Sequence, residues 1–338
     1  MSDLSTTYMG LALNNPVVPS ASPLSRTLDG IKKMEAAGAG AVVLYSLFEE
    51  QIDEEAEFLD DIIEGTKYRY AEMIDLFPPQ AEYRRDEVAY LDLIQKAKEA
   101  VDIPIIPSLN GYSLGGWLRY AELFEEAGAD GIELNVYYLP TSHRLTGAQV
   151  EAMYFDIVRE VRQQVSIPIA VKMNPFFSSI PHVATLLDRA GADGLAMFNR
   201  FYQPDLDIEK LETVRQLHLS SSEEMLLPMR WIAILYGNLD ASLALTTGVH
   251  TVEDVVKAIM AGADVAHVCS VLLQEGLGKI GELTGGLADW MDAHEYETVR
   301  QMRGVLSHEN SPNPTAFERA NYVQFVGQEK FQPQLENM

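Results

Sequence analysis

Cysteine is almost missing from this 338-residue chain, with Cys269 its single example. One thiol excludes an intrachain disulfide framework and any zinc or iron–sulfur centre built from this chain's own cysteines. Basic residues are scarce as well, 25 Lys and Arg against 50 Asp and Glu, for a formal charge of −25. Such a surplus of carboxylates repels phosphate backbones and anionic lipid, so neither nucleic acid nor a membrane surface is expected as a partner. No apolar run reaches the roughly 18 residues of a membrane-spanning helix. The opening MSDLSTTYMG lacks the basic and then apolar regions of a signal peptide. The seven histidines are scattered, none at ligand spacing from another histidine or a carboxylate, which argues against a metal site. What is present is ordinary folded composition, 47% apolar and 22% charged, and the expectation is an acidic cytoplasmic protein.

The strongest pattern is a loose internal repeat. Four times a helical stretch ends in Ala-Gly-Ala and an apolar run follows: Ala37-Gly38-Ala39 before AVVLYS, Ala127-Gly128-Ala129 before GIELNV, Ala190-Gly191-Ala192 before GLAMFN, and Ala261-Gly262-Ala263 before VAHVCS. Each glycine suits the position just past a helix, where a left-handed residue closes the last turn. Each run is too short for a helix and reads as a strand buried on both faces. Residues 103–108, 167–172, 16–20 and 243–247 bring the count to eight strands. Between them, 114–127, 147–165, 183–190 and 251–261 read as amphipathic helices. Eight strand–helix alternations predict a (βα)8 TIM barrel. A doubly wound sheet is the alternative, but it would want a Gly-rich phosphate loop after the first strand. Ser20-Ala21-Ser22-Pro23 stands there instead. The predicted organisation is a barrel over residues 1–295 and a helical C-terminal extension over 296–338, with Phe317, Tyr322 and Phe325 packing outside. An acidic insertion, residues 49–87, follows the second strand. It reads as a solvated helix face, or as a lid or oligomer contact at the barrel mouth.

In a barrel, chemistry gathers at the C-terminal ends of the strands. Those ends are predicted at Ser20/Ser22, Tyr45/Ser46, Ser108/Asn110, Asn135, Lys172/Asn174, Asn199, Thr246/Thr247 and Cys269/Ser270. Amides, hydroxyls and one lysine suit a large polar heterocycle better than a metal. Thr247-Gly248 and Ser270-Val271 each precede a helix start, where backbone amides would hold a phosphate. Lys172 is open to three readings: a snorkelling surface lysine, a Schiff-base nucleophile, or a fixed cation beside a ring that gains negative charge.

Taken together these positions resemble the dihydroorotate dehydrogenase family, over residues 6–281. The carriers are GLALNNPVVPSASP at 10–23, GIELNV at 131–136, AVKMNP at 170–175, Asn199, and the turns at 245–249 and 268–271. The resemblance implies an FMN-binding barrel, hydride transfer between flavin and a small planar substrate, and dihydroorotate as the default substrate. It implies that Ala21, Ser22, Ser108, Asn110, Asn135, Lys172, Asn199, Thr247, Gly248, Ser270 and Val271 bind FMN. Lys172 would stabilise the reduced ring, with Asn135 reaching flavin and substrate. Where the family has a cysteine or serine base, three residues past the strand-four asparagine, this chain has Tyr138, and a phenol is a poor base near neutrality. The family's lysine after the second strand is Tyr45 here. Its Asn-containing loop has no counterpart in residues 75–85, and its Gly-Gly before the seventh strand is replaced by residues 227–231, which include Arg230. A homodimer and a separate iron–sulfur or other redox partner are expected. A non-catalytic FMN relay subunit and a flavin-free phosphate barrel using Lys172 as a Schiff base are the alternatives.

Overall fold

The computed structural model describes residues 2–49, 86–111, 113–214 and 217–318. Most of the acidic insertion, including residues 75–85, and the positions of Tyr322 and Phe325 lie outside the described residues. A short antiparallel hairpin, β1 (Thr6–Tyr8) and β2 (Leu11–Leu13), comes first. The parallel strands then begin with β3 (Val17–Pro19), β4 (Val42–Phe48), β5 (Ile105–Asn110), β6 (Ile132–Asn135), β7 (Ile169–Met173) and β8 (Gly194–Met197). A second hairpin, β9 (Asp205–Asp207) and β10 (Glu212–Val214), separates them from β11 (Ser242–Leu245) and β12 (Val265–Val268). The sheet runs β3, β12, β11, β8, β7, β6, β5, β4. Its two end strands meet where the Gly40 N–H donates to the Val17 carbonyl at 2.9 Å.

The connecting helices are α1 (Leu28–Ala36), α2 (Asp86–Ala100), α3 (Leu114–Glu126), α4 (Gly147–Gln164), α5 (Ile180–Ala190), α6 (Leu226–Leu235) and α7 (Val252–Ala261). After β12 come α8 (Ser270–Glu275), α9 (Gly278–Ala293) and α10 (Val299–Met302). This is the (βα)8 barrel that the repeat predicts. The eight predicted strands are all present, some displaced by up to two residues. The β9–β10 hairpin and α6 were not foreseen.

The repeat has a physical cause at both of its ends. All four glycines are left-handed, Gly38 at φ +93°, Gly128 at +89°, Gly191 at +106° and Gly262 at +125°, where a Cβ would be strained. Each closes its helix with the same pair of bonds. After α5, for example, the Gly191 N–H reaches Asp188 O at 3.0 Å and the Ala192 N–H reaches Leu187 O at 3.1 Å, the crossed pattern of a Schellman turn. Three repeats continue into an aspartate that the sequence reading passed over. The carboxylates of Asp130, Asp193 and Asp264 each accept from an N–H in the first two residues of the preceding barrel strand, at Ile105, Ile169 and Leu243, all at 2.8 Å. Lys98, Arg162 and Arg303 neutralise them in turn. One four-residue unit therefore ends a helix, fastens the neighbouring strand and starts the next.

Strand side chains alternate between two cores. Ile132, Leu134, Ile169, Val171 and Leu195 face the helices in the larger core. Val43, Ile106, Ala170, Ala196, Ala244 and Val265 face the barrel axis, where the first hairpin adds Tyr8, Met9 and Leu13 as a floor. That floor is fastened by the Met9 N–H to Ser242 Oγ at 3.1 Å and by Thr6 Oγ1 to Asp264 O at 3.0 Å. At the C-terminal side, Phe317 packs against the outer core.

Candidate functional site

The strand ends converge on one polar mouth. On β4 the register shifts between Val43 and Ser46, and this turns Ser46 toward β5, where its hydroxyl lies 3.0 Å from that of Ser108. Asn135 ends β6 and donates weakly to Ser46 Oγ at 3.4 Å, while its carbonyl oxygen accepts from Asn199 Nδ2 at 2.5 Å. The Asn199 N–H is itself held by Met173 O at 2.7 Å, so two amides from β6 and β8 face each other across the end of β7. On β7, Lys172 stands beside Asn135 in register. Its ammonium lies 3.5 Å from both Glu133 Oε1 and Ser20 Oγ. Ser20, Ser22, Ser108, Asn110, Asn135, Lys172 and Asn199 are all buried, and Ala21 is partly so. The predicted ring of amides, hydroxyls and a lysine thus stands together at one end of the barrel.

Tyr154 of α4 braces this end from behind. Its hydroxyl donates to Val136 O at 3.0 Å and accepts from Asn174 Nδ2 at 2.8 Å. Burial pushes its phenol up to about 12, against the pull of Asn174.

The loops above the amides are aromatic. Three successive strands end in Asn-x-aromatic: Asn135 with Tyr137, Asn174 with Phe176, and Asn199 with Phe201. The three rings meet, Tyr137 to Phe201 at 4.2 Å between centroids and Phe176 to Phe201 at 5.4 Å. Phe176 remains 68% exposed, so this aromatic face is presented to whatever enters. The sequence carried this signal, because the three motifs stand at the same place in successive repeats. Tyr138 lies partly exposed on the loop after β6 and bonds to none of the described residues of the mouth. Tyr45 keeps its ring beside Tyr90 and under the Arg26 guanidinium, 5.2 Å away. Arg230 is exposed on α6, and no ion pair among the described residues includes it.

On the β11–β12 side, Thr247 and Gly248 both have positive φ, +82° and +84°. A Cβ on Gly248 would sit 2.5 Å from the Met225 nitrogen, so only glycine fits. No described residue accepts from the N–H of Gly248 or Val249. The start of α7 is already closed, because the Asp254 carboxylate takes the N–H groups of His250 and Thr251, each at 3.0 Å, and the Ser222 hydroxyl at 2.6 Å. An anion is therefore left the Gly248 turn and the first turn of α8, at Ser270 and Val271, whose N–H groups have no acceptor within their own helix. Ser270 Oγ holds Ser220 through bonds of 3.1 and 2.9 Å.

Three polar residues escaped the sequence reading. Glu133, His267 and Tyr8 are buried on the axis below the mouth. The available signal was a carboxylate inside the apolar run GIELNV, two residues from Asn135 and so on the same strand face. Among the described residues no three His, Cys, Asp or Glu side chains gather as metal ligands, and no helix is long and apolar enough to cross a membrane.

Fold and mouth define a class, a (βα)8 barrel whose mouth gathers amides, hydroxyls and one buried cation. A family model for dihydroorotate dehydrogenase matches residues 84–291, more than half of the chain, and the chain belongs to that family of flavin-dependent dehydrogenases. The catalytic subunit of dihydroorotate dehydrogenase B (NAD(+)) from Thermoplasma volcanium is 26% identical over 313 residues, which cover 90% of this chain and 99% of that protein. Its namesake from Methanothermobacter thermautotrophicus is 25% identical over 317 residues, with 90% and 99% covered. The NAD-dependent dihydropyrimidine dehydrogenase subunit PreA of Escherichia coli K12 is 24% identical over 327 residues, with 92% and 78% covered.

Proposed function

We propose that this protein is an FMN-dependent dehydrogenase acting on a CH–CH bond of a small planar substrate. The observation that carries the reading is the buried Lys172 ammonium beside the Asn135–Asn199 amide pair, with a glycine turn at Gly248 into which only a hydrogen fits. The residues present suit the cofactor: the buried polar side chains of Ser22, Ser108, Asn110, Asn135, Lys172 and Asn199, with Ala21 beside them, would hold its ring. Thr247, Gly248, Ser270 and Val271 would meet the phosphate. When bound, the flavin supplies the two-electron hydride chemistry. The protein fixes a cation where negative charge accumulates, and its preorganised amides orient the substrate.

Tyr138 takes the place from which a proton is exchanged with the neighbouring substrate carbon. Its hydroxyl is offered as a hydrogen donor, in the direction that reduces the substrate. Dihydroorotate and its orotate product are the default pair by family, and a dihydropyrimidine pair is the other, on the name of one relative. The aromatic face of Tyr137, Phe176 and Phe201 suits a flat ring. Replacing Tyr138 with Phe is expected to lower turnover by roughly 10²-fold or more with flavin content unchanged, measured by anaerobic stopped-flow absorbance. Normal turnover in that variant would remove Tyr138 from the mechanism.

The relatives are named as subunits, which supports a redox partner; with one cysteine in this chain, any iron–sulfur cluster belongs to that partner. Homodimerisation is supported by the β9–β10 hairpin, which exposes Leu206, Ile208 and Leu211, the last by 89%. The Schiff-base reading of Lys172 loses ground to Glu133, a counter-ion 3.5 Å away that suits an ammonium rather than a free amine.

A further inference from the structure

Below the mouth the barrel axis holds polar atoms that the proposed chemistry does not use. Glu133 on β6 is fully buried, and its Oε2 has no hydrogen-bond partner among the described residues. The same holds for both ring nitrogens of His267 on β12 and for the Tyr8 hydroxyl on the floor hairpin. These groups are neighbours: Tyr8 meets His267 edge-on with centroids 5.8 Å apart. The other Glu133 oxygen lies 3.5 Å from Lys172 Nζ and 3.3 Å from Ser108 Oγ.

Three segments far apart in sequence are needed to build this arrangement. An orphaned buried polar group costs about 1–3 kcal/mol, so four such atoms in one core demand partners. The surrounding axial positions include Ala170, Ala196 and Ala244, whereas bulky branched side chains usually fill a barrel interior. A site that is polar and lined by small residues is one that holds water.

We propose that Tyr8, Glu133 and His267 bind a small cluster of ordered waters on the barrel axis, and that this hydrated cluster is the counter-charge that positions the Lys172 ammonium. The charged groups that face His267 are Glu133 and Lys172, with Tyr8 in ring contact. Burial drives the imidazole down to about 4, Glu133 pulls it up and Lys172 pushes it down. A neutral imidazole offers one donor and one acceptor, which lets it bridge waters between the phenol and the carboxylate. Glu133 in turn offsets part of the lysine's charge, and so limits how strongly the site favours a reduced, negatively charged ring. This last point rests on the flavin reading above.

The test has one arm that needs no flavin. In the flavin-free protein, nitrogen-15 NMR of the His267 ring should show it neutral at pH 6, with its titration moved down in Glu133→Gln and up in Lys172→Met. The second arm reads the midpoint potential of the bound flavin. Glu133→Gln should move the reduction equilibrium at least tenfold toward the reduced form, about 30 mV for a two-electron couple. If Glu133→Gln fails to fold, Tyr8→Phe carries both readings and His267→Gln carries the potential alone. Water density bridging Glu133 to His267 in a high-resolution crystal structure supports the proposal, and a dry axis overturns it. A His267 that ignores both substitutions overturns it too. If no flavin binds, the functional reading falls while the first arm still decides the cluster. Bound flavin with an unmoved potential and an unmoved His267 defeats the cluster alone.

Discussion

His267 carries no charge above about pH 4, because burial opposes protonation and Lys172 adds to that opposition over the counter-pull of Glu133. In the unfolded chain the same imidazole protonates at the ordinary 6.5. Between those values the unfolded state binds more protons, so stability falls as pH drops from about 6.5 toward 4. The full loss is about 3 kcal/mol at 1.36 kcal/mol per pH unit, with about 2 kcal/mol gone by pH 5. Urea unfolding at pH 7.5 and pH 5 should show this, and His267→Gln should flatten the dependence. Carboxylates held low, such as Glu125 and Asp254, act only below about pH 4.5 and do not confuse the test. A second residue-scale expectation concerns Tyr154. Its hydroxyl joins Val136 O to Asn174, so Tyr154→Phe is expected to cost about 1–3 kcal/mol. It should also weaken flavin retention, which titration with free FMN would measure. Unchanged affinity would make Tyr154 a purely structural brace.

At the scale of elements, the Ala-Gly-Ala repeat was legible because a left-handed helix terminus admits few residues besides glycine. The aspartate that follows was not legible, since its meaning depends on a strand start 25, 24 or 21 residues earlier. Strand ends were readable to within two residues. The mouth residues followed from them, because alternation along a strand fixes which side chains face inward. The β9–β10 hairpin was invisible, being two three-residue strands exposed on both faces, with no alternation to betray it. Asp264→Ala is the direct test of the fastening unit. It leaves the Leu243 N–H and the Arg303 guanidinium without the carboxylate, and is expected to lower stability by about 1–3 kcal/mol. A urea midpoint equal to that of the parent would show the carboxylate to be dispensable. Gly248→Ala tests the other end of the barrel: a Cβ 2.5 Å from a backbone nitrogen must open the turn, and FMN affinity should fall at least tenfold while the far-ultraviolet circular dichroism stays the same.

For the whole molecule, the flavin reading makes a thermodynamic demand. A ligand held only by the folded state at 100 times its dissociation constant adds about 2.7 kcal/mol. For a chain this large that raises the melting temperature by roughly 4 °C, at about 1.4 °C per kcal/mol for an unfolding entropy of about 2.1 cal/mol/K per residue. Calorimetry with and without FMN would read the shift, and its absence in protein stripped of flavin would exclude tight binding.

The floor hairpin has a consequence for how the protein is made. Its anchors are Ser242, 233 residues after Met9, and Asp264, 258 residues after Thr6. At a synthesis rate of roughly 5–20 residues per second, the hairpin is made on the order of 10–50 s before the sockets that will receive it. Throughout that interval Tyr8, Met9 and Leu13 have no barrel to enter.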